Sequence, residues 1–431
     1  MAKKKKRSTK KRIHMKHLPH TQRHIVKDLF GKFEASLKDK VEKFEEKTRL
    51  ADFLGKTVSQ DRIERLLEAY EKSNISIGVL GGHSALDICR GAKKHGFRTV
   101  VVCQKGREKT YSKYYKSRDN KGVVDEIILV DNFRDIVKRE VQEKLREMNT
   151  IFVHNRYFWV YCDFKDIEKK FMVPIFGTRE MVKLEERDMP KNQYFLLEKA
   201  GIRIPKPFKD PKKIDRLVIV KVAEAKRGYE RAFFFANSYE SYQKKSEDLL
   251  KSKTITPDAL KKAVIEEYVV GAPVNFNFFY SPISGELELM GTDTRRQTNI
   301  DGLLRLPASD QLDVLKYLKP KLVETGHIAV TVKESLLEKA FELGERFVEA
   351  TKKHASPGII GPFALQGAVV AEEGREDIVI FDVSLRMPGS PGTIFTPYSG
   401  YLYVDHLSYG ERIAIEIRNA IEANKLHLIC T

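Results

Sequence analysis

Between residues 75 and 177 the chain alternates short apolar runs with charged segments. The runs 75–80, 99–103, 126–130, 151–153 and 172–176 are rich in Val, Ile and Phe. Runs apolar on both faces and separated by helix-like segments predict a parallel sheet covered on both sides. From residue 216 the pattern changes. Strand-like runs at 217–221, 232–236, 264–270, 275–280, 286–290, 362–370 and 377–383 surround one long helical stretch near 334–352. This predicts an α+β unit of antiparallel strands with a packed helix. A helical stretch at 192–200 and loops carrying Pro205, Pro207 and Pro211 connect the two. Ahead of the first strand, a helix is expected near 61–71. Earlier still, Ile25, Leu29, Phe33, Leu37, Val41 and Phe44 recur at steps of four or three, one stripe of an amphipathic helix. Such a stripe packs on its own protein more often than on a partner.

Composition changes this picture at one end. The chain has 431 residues and a formal charge of +18. Residues 1–27 hold eleven Lys or Arg (Lys3, Lys4, Lys5, Lys6, Arg7, Lys10, Lys11, Arg12, Lys16, Arg23 and Lys27) and no acid, so the remainder carries only +7. A segment this polar has too little apolar surface to fold alone and is expected to be disordered until bound. It reads as a phosphate-tracking arm for RNA, whose contacts would be salt-sensitive. His14, His17, His20 and His24 recur there, but no cysteine or acid completes a metal ligand set. The organisation is therefore a basic arm (1–27), a helical extension (28–72), an α/β domain (73–185) and a second domain (186–431) with two subdomains. No apolar run approaches a membrane span, and no apolar stretch follows the N-terminal charges as a secretory signal requires. Cys89, Cys103, Cys162 and Cys430 form no CxxC pair. Three of them sit in apolar segments, as buried small hydrophobes do. A reducing, cytoplasmic setting follows. Assembly with further copies of the chain is left open.

The chemistry-bearing signals are individually weak. Leu80-Gly81-Gly82-His83-Ser84 ends the first strand and enters a helix, a turn that suits a phosphate but also any tight turn. Val218-Ile219-Val220-Lys221 ends a strand on a lysine that can hold phosphate. The strand Ile265-Glu266-Glu267-Tyr268-Val269-Val270 carries two acids and can offer backbone to an adenine edge. Gln366 and Asp382 are oxygen donors of the kind a Mg²⁺ between phosphates takes. Lysines and acids at strand ends are commonly just solvated, so only their order carries weight.

That order, with the stretches GVLGGHSALDICRGAKKHGFRTVVV, EIILVDNF, VIEEYVVG, NIDGLLRLPASDQL, GIIGPFALQG and YGERIAIEIRNAIE, resembles the archaeal formate-dependent ATP-grasp ligases of purine biosynthesis, from residue 60 to the end. The resemblance implies an ATP-grasp fold and ATP-driven formylation of the amine of 5-aminoimidazole-4-carboxamide ribonucleotide, with formate first activated as formyl phosphate. It assigns His83, Tyr157 and His327 to the ribonucleotide. Lys221, Glu266, Glu267, Gln297 and Arg386 fall to ATP, and Gln366 and Asp382 to Mg²⁺.

The departures from that family cluster on the site. Its Gly-rich flap, of the type GARGGRGYF, reads Val222-Ala223-Glu224-Ala225-Lys226-Arg227-Gly228-Tyr229-Glu230-Arg231 here, with one glycine; close backbone approach to phosphates is thereby obstructed. Tyr157 replaces a serine and Arg156 a glycine. Gln297 replaces a glutamate, His327 an asparagine, and Asp382 a glutamate. Met387-Pro388-Gly389-Ser390-Pro391-Gly392-Thr393 replaces a Gly-rich run. Two readings follow. One is a ligase of the family; the other is a catalytically degenerate paralogue that binds RNA or the ribosome through its arm.

Overall fold

The computed structural model describes residues 58–431 except 187–188, 223–232, 319, 321–322 and 373. The basic arm, the stripe from Ile25 to Phe44 and nearly all of the Gly-poor flap lie outside the described residues.

Strands β1 (Ser76–Leu80), β2 (Arg98–Gln104), β3 (Glu126–Val130), β4 (Thr150–Val153) and β5 (Ile175–Phe176) form a parallel sheet in the order β3-β2-β1-β4-β5. Every residue of β1 is buried, as the central position demands. The run 172–176 yields only two strand residues. Side chains take its first backbone groups instead: Met172 N–H donates to Gln142 Oε1 (2.6 Å), Met172 O accepts from Arg146 Nη1 (3.0 Å) and Val173 O accepts from Arg179 Nη2 (2.8 Å).

Strands β6 (Pro207–Phe208), β7 (Val218–Lys221), β8 (Phe233–Ala236) and β9 (Val264–Glu267) pair antiparallel in the order β6-β9-β7-β8. The third sheet, also antiparallel, has the order β12-β11-β10-β13-β14, from β10 (Ala272–Tyr280), β11 (Leu287–Gln297), β12 (Glu324–Ala329), β13 (Gly361–Glu372) and β14 (Arg375–Ser384). The expected strand 264–270 stops at Glu267 and the chain turns toward β10. At that turn a methyl group on Gly271 would stand 2.5 Å from Val369 O. Strand β12 escapes sequence reasoning because its residues, ETGHIA, are all half-buried or exposed and hold one large apolar side chain.

The core of the second domain is aromatic. Phe276, Phe278, Phe347, Phe363 and Leu365 meet between the third sheet and the helix Leu337–His354. Gly344 lets that helix close on the sheet, because a methyl group there would lie 2.6 Å from Leu287 Cδ2.

One helix contact ties the distant parts of the chain together. Helix Tyr409–Glu422 crosses helix Ala85–Lys94 where Gly410 meets the Asp87 carbonyl; a methyl group on Gly410 would lie 2.0 Å from that oxygen, so no side chain fits. Asp87 Oδ2 accepts from Gly410 N–H at 3.0 Å. On the same helix, buried Arg412 donates to both oxygens of Glu288 on β11 (2.7 and 2.8 Å) and to Glu416 (2.9 Å). The carboxyl end of β1 is thereby held against the third sheet. Among the described residues no helix is long and apolar enough to cross a membrane.

Candidate functional site

The turn after β1 is pinned by one residue. Asn155 Nδ2 donates to Leu80 O (2.8 Å) and Gly82 O (2.9 Å), while its Oδ1 accepts from Phe158 N–H (3.2 Å) and caps helix Arg156–Tyr161. His83 and Ser84 follow with φ of 29° and 69°, and helix Ala85–Lys94 begins. Ser84 Oγ donates to Pro388 O at 3.0 Å, which joins this turn to the segment replacing the family's Gly-rich run. The expected phosphate cradle is roofed: a methyl group on Gly82 would lie 2.1 Å from the Tyr157 ring.

A narrow polar cleft opens beside the turn. His83 and Arg156 line it from the first domain; Asn275, Asn277, Arg295, Glu324, His327, Gln366, Arg386 and the stretch from Pro388 to Ser390 line it from the second. Its cavity volume of about 20 Å³ is room for a water molecule or two. His83 backs onto Gly389, where a methyl group would stand 2.3 Å from the ring. Its Nδ1 is buried without a hydrogen-bond partner. Burial, helped by Arg386 and Arg156, pushes its pKa down to about 3, so the ring is neutral at physiological pH.

His327 is the opposite case. Its Nδ1 meets Asp293 Oδ2 and its Nε2 lies 2.9 Å from Glu324 Oε1, with Ser390 Oγ 3.3 Å from Nδ1. Burial opposes the charge, but the two carboxylates outweigh it and raise the pKa to about 9. Fully buried Asp293 also accepts from Asn275 (3.0 Å) and Asn277 (2.6 Å). Against the penalty of burial, His327 and these amides hold its carboxyl below the usual range. Glu324 drops to about 2, again against burial, through His327 and Arg295.

Arg295 fills the place that the resemblance gives to metal. Its Nη2 donates to Gln366 Oε1 and lies 3.8 Å from Asp382 Oδ2, while Nε is 3.4 Å from Glu324 Oε2. Gln366 and Asp382 are cross-strand partners in the β13–β14 register, which is why two residues far apart in sequence face one cation. An amide oxygen and a carboxylate are hard donors suited to Mg²⁺, and the position between them already holds positive charge. They fit the ion once Arg295 withdraws. Among the described residues no three His, Cys, Asp or Glu side chains converge as a ligand set, so phosphate and water would complete the shell.

The ATP residues separate. Lys221 ion-pairs with buried Glu266 across β7 and β9, and Tyr194 OH lies 2.6 Å from Glu266 Oε2 and 3.0 Å from Phe381 O, beside Asp382. Glu267 points elsewhere: Lys206 N–H donates to it (3.2 Å) and Arg216 lies 3.6 Å away. Gln297 does not line the cleft; its backbone N–H donates to Asp301 (2.8 Å). Arg386 lines the cleft with Nη2 3.7 Å from Glu185, whose pKa burial raises. Sequence reasoning missed Asp293, Arg295, Glu324, Asn275 and Asn277. Asn275 with Asn277, and Asp293 with Arg295, carried a signal, since side chains two residues apart on a strand share one face, whereas Glu324 lies on β12, which has too little apolar content to be read as a strand.

The chain matches two family models, a protein of unknown function (DUF1246) over residues 77–208 and a domain of unknown function (DUF1297) over residues 241–431. It is 42% identical to the 5-formaminoimidazole-4-carboxamide-1-(beta)-D-ribofuranosyl 5'-monophosphate synthetase of Methanosphaera stadtmanae, over 88% of this chain and 100% of that one. To the protein of the same name from Methanocaldococcus jannaschii it is 41% identical, over 86% and 99%. The crystal structure of an IMP biosynthesis protein PurP from Thermococcus kodakaraensis superposes with a TM-score of 0.61 at 27% identity, covering 82% of this chain and all of the other. An N5-carboxyaminoimidazole synthetase from Staphylococcus aureus shares the fold alone (TM-score 0.51, 13% identity, 79% and 76% coverage).

Proposed function

The chain belongs to the 5-formaminoimidazole-4-carboxamide ribonucleotide synthetase family of ATP-grasp proteins, and from that premise we propose that it is an ATP-dependent ligase joining formate to the amine of an aminoimidazole carboxamide ribonucleotide. One observation carries the reading. The cleft draws Arg156, Arg386, Arg295 and charged His327 from both domains around Gln366, with neutral His83 beside them and Asp382 behind, and so places cations where phosphate charge would transfer. Nucleotide with Mg²⁺ would supply the phosphoryl group and neutralise its developing charge.

The chain's own residues have separable tasks. Lys221, held by Glu266, holds nucleotide phosphate. Gln366 and Asp382 would hold Mg²⁺ where the Arg295 guanidinium now lies. Neutral His83, one ring nitrogen unbonded, offers a hydrogen bond to the ribonucleotide. Charged His327 keeps a fixed positive charge in the cleft wall. The direct test is chromatography of ATP, Mg²⁺, formate and the ribonucleotide after incubation with the full chain. Formylated ribonucleotide and equimolar ADP are expected, and Lys221→Met should abolish both. ATP left intact in the presence of every substrate overturns the reading.

A second reading rests on a different observation. The Tyr157 ring occupies the space over Gly82, and the flap sequence carries one glycine. In that reading the reaction is lost, and the polycationic residues 1–27 attach a degenerate paralogue to RNA. Weak or absent Mg²⁺-ATP binding in calorimetry favours it; low-micromolar binding removes it.

A further inference from the structure

The segment between β2 and β3 is unused by the ligase reading and has an unusual surface. Residues 105–121 hold seven Lys or Arg against Glu108 and Asp119. Six of the seven, Lys105, Arg107, Lys109, Lys113, Arg118 and Lys121, are exposed. Between them two adjacent tyrosines stand in solvent, Tyr114 at 63% and Tyr115 at 49% exposure. Large aromatic rings are ordinarily buried.

The segment is also firmly built. Tyr115 N–H donates to Thr110 O (3.0 Å), and Tyr115 O accepts from Val123 and Val124 N–H (3.0 and 3.1 Å). Arg118 and Lys121 exchange both backbone bonds at 2.9 Å, and Lys116 Nζ donates to Asp125 O. Gly122, at φ +84°, brings the return strand so close that a methyl group would stand 2.2 Å from Lys116 O. At the base, buried Tyr111 packs under Gly81 and Arg107 Nη1 donates to Tyr161 OH (3.1 Å). The two exposed tyrosines therefore stay out because the backbone holds them there.

We propose that this segment is a binding surface for single-stranded RNA, with bases stacked on Tyr114 and Tyr115 and phosphates on the surrounding cations. Rings that are exposed, rigid and spaced among cations match single strands, whose unstacked bases offer π-faces to aromatics while the backbone follows positive charge. Lys113 Nζ sits over one face of the Tyr114 ring, 5.4 Å from its centre, so a base stacks on the other face or displaces the ammonium toward its own phosphate. A duplex keeps its bases stacked internally and uses only the charges. The surface is independent of residues 1–27 and of the ligase reading.

The test uses the full chain, with fluorescence anisotropy of a labelled oligouridylate of about twelve nucleotides and of a blunt RNA duplex, each over a range of salt. Tyr114→Ala with Tyr115→Ala is expected to weaken the single strand about tenfold or more, leaving the duplex and the salt slope unchanged. Tyr114→Phe with Tyr115→Phe keeps the rings and should restore binding. Lys113→Gln with Lys121→Gln should weaken both probes and lower the single-strand salt slope by roughly 1.4. Every substituted position is exposed, and a thermal melt confirms that each variant folds. Alanine variants that bind oligouridylate as well as the parent overturn the proposal, even if residues 1–27 hold RNA. Failure of the unaltered full chain to bind oligouridylate also overturns it.

Discussion

Replacing His327 by asparagine tests the electrostatics of the cleft. In the folded chain His327 holds its proton up to about pH 9, between Asp293 and Glu324; an unfolded chain releases it near 6.5. A folded pKa above the unfolded one stabilises the protein fully below about pH 6.5, and that stabilisation drains away as the pH rises through about 9. A proton held up to about pH 9 instead of 6.5 corresponds to at most about 3–4 kcal/mol. Toward acid, Glu324 acts with the opposite sign. Its folded pKa of about 2 contributes stability above its unfolded value that is lost as the pH falls toward 2. These two groups together contribute most between about pH 4.5 and 6.5, while buried His83, whose pKa falls to about 3, works the other way and costs stability as the pH drops below 6.5. An asparagine side chain cannot carry the charge, so His327→Asn should melt several degrees lower near pH 6, at up to about 2 °C per kcal/mol for a body of this size. The gap should close as the pH approaches about 10. Melting curves of both proteins across that range measure it. A gap that stays constant with pH would refute a charged His327.

Three further substitutions probe other parts of the molecule. Arg412→Met strands Glu288 and Glu416 in the core and should cost about 3–5 kcal/mol, read as a lowered melting temperature or urea midpoint. Gly389→Ala drives a methyl into the His83 ring and should abolish ribonucleotide binding in calorimetry while the melting temperature moves little. Arg295→Met removes the resident cation between Gln366 and Asp382, so Mg²⁺ should tighten nucleotide binding more in the variant than in the parent, as calorimetry with and without the ion would show.

The large apolar pattern was legible because it obeys period and burial. Strand β1 is buried on both faces and reads as an unbroken run, and the aromatic core of β10 and β13 reads likewise. What sequence hid is pairing. Strand β12 has too little apolar content to announce itself, yet it delivers both Glu324 and His327 to the cleft. Gln366 and Asp382 were legible as oxygen donors, but nothing local says that Arg295, two strands from the first and three from the second, lies against them. Tyr157 was visible as a departure from serine; that its ring roofs Gly82 follows only from how Asn155 aims helix Arg156–Tyr161. Glu267 looked equivalent to Glu266 in sequence, but alternation along β9 turns it to the other face, toward Lys206 and Arg216.

The central claim is that this cleft activates formate through phosphate. Formate labelled with ¹⁸O at both oxygens follows that step atom by atom. In the proposed reaction one formate oxygen attacks the terminal phosphorus of ATP and expels ADP. The amine then attacks the formyl carbon, and the phosphate leaves with that oxygen. Mass spectrometry of the inorganic phosphate after incubation of the full chain with ATP, Mg²⁺, labelled formate and aminoimidazole carboxamide ribonucleotide should show one ¹⁸O per formylated product. Unlabelled phosphate, or phosphate released with no formylated ribonucleotide, would contradict the account.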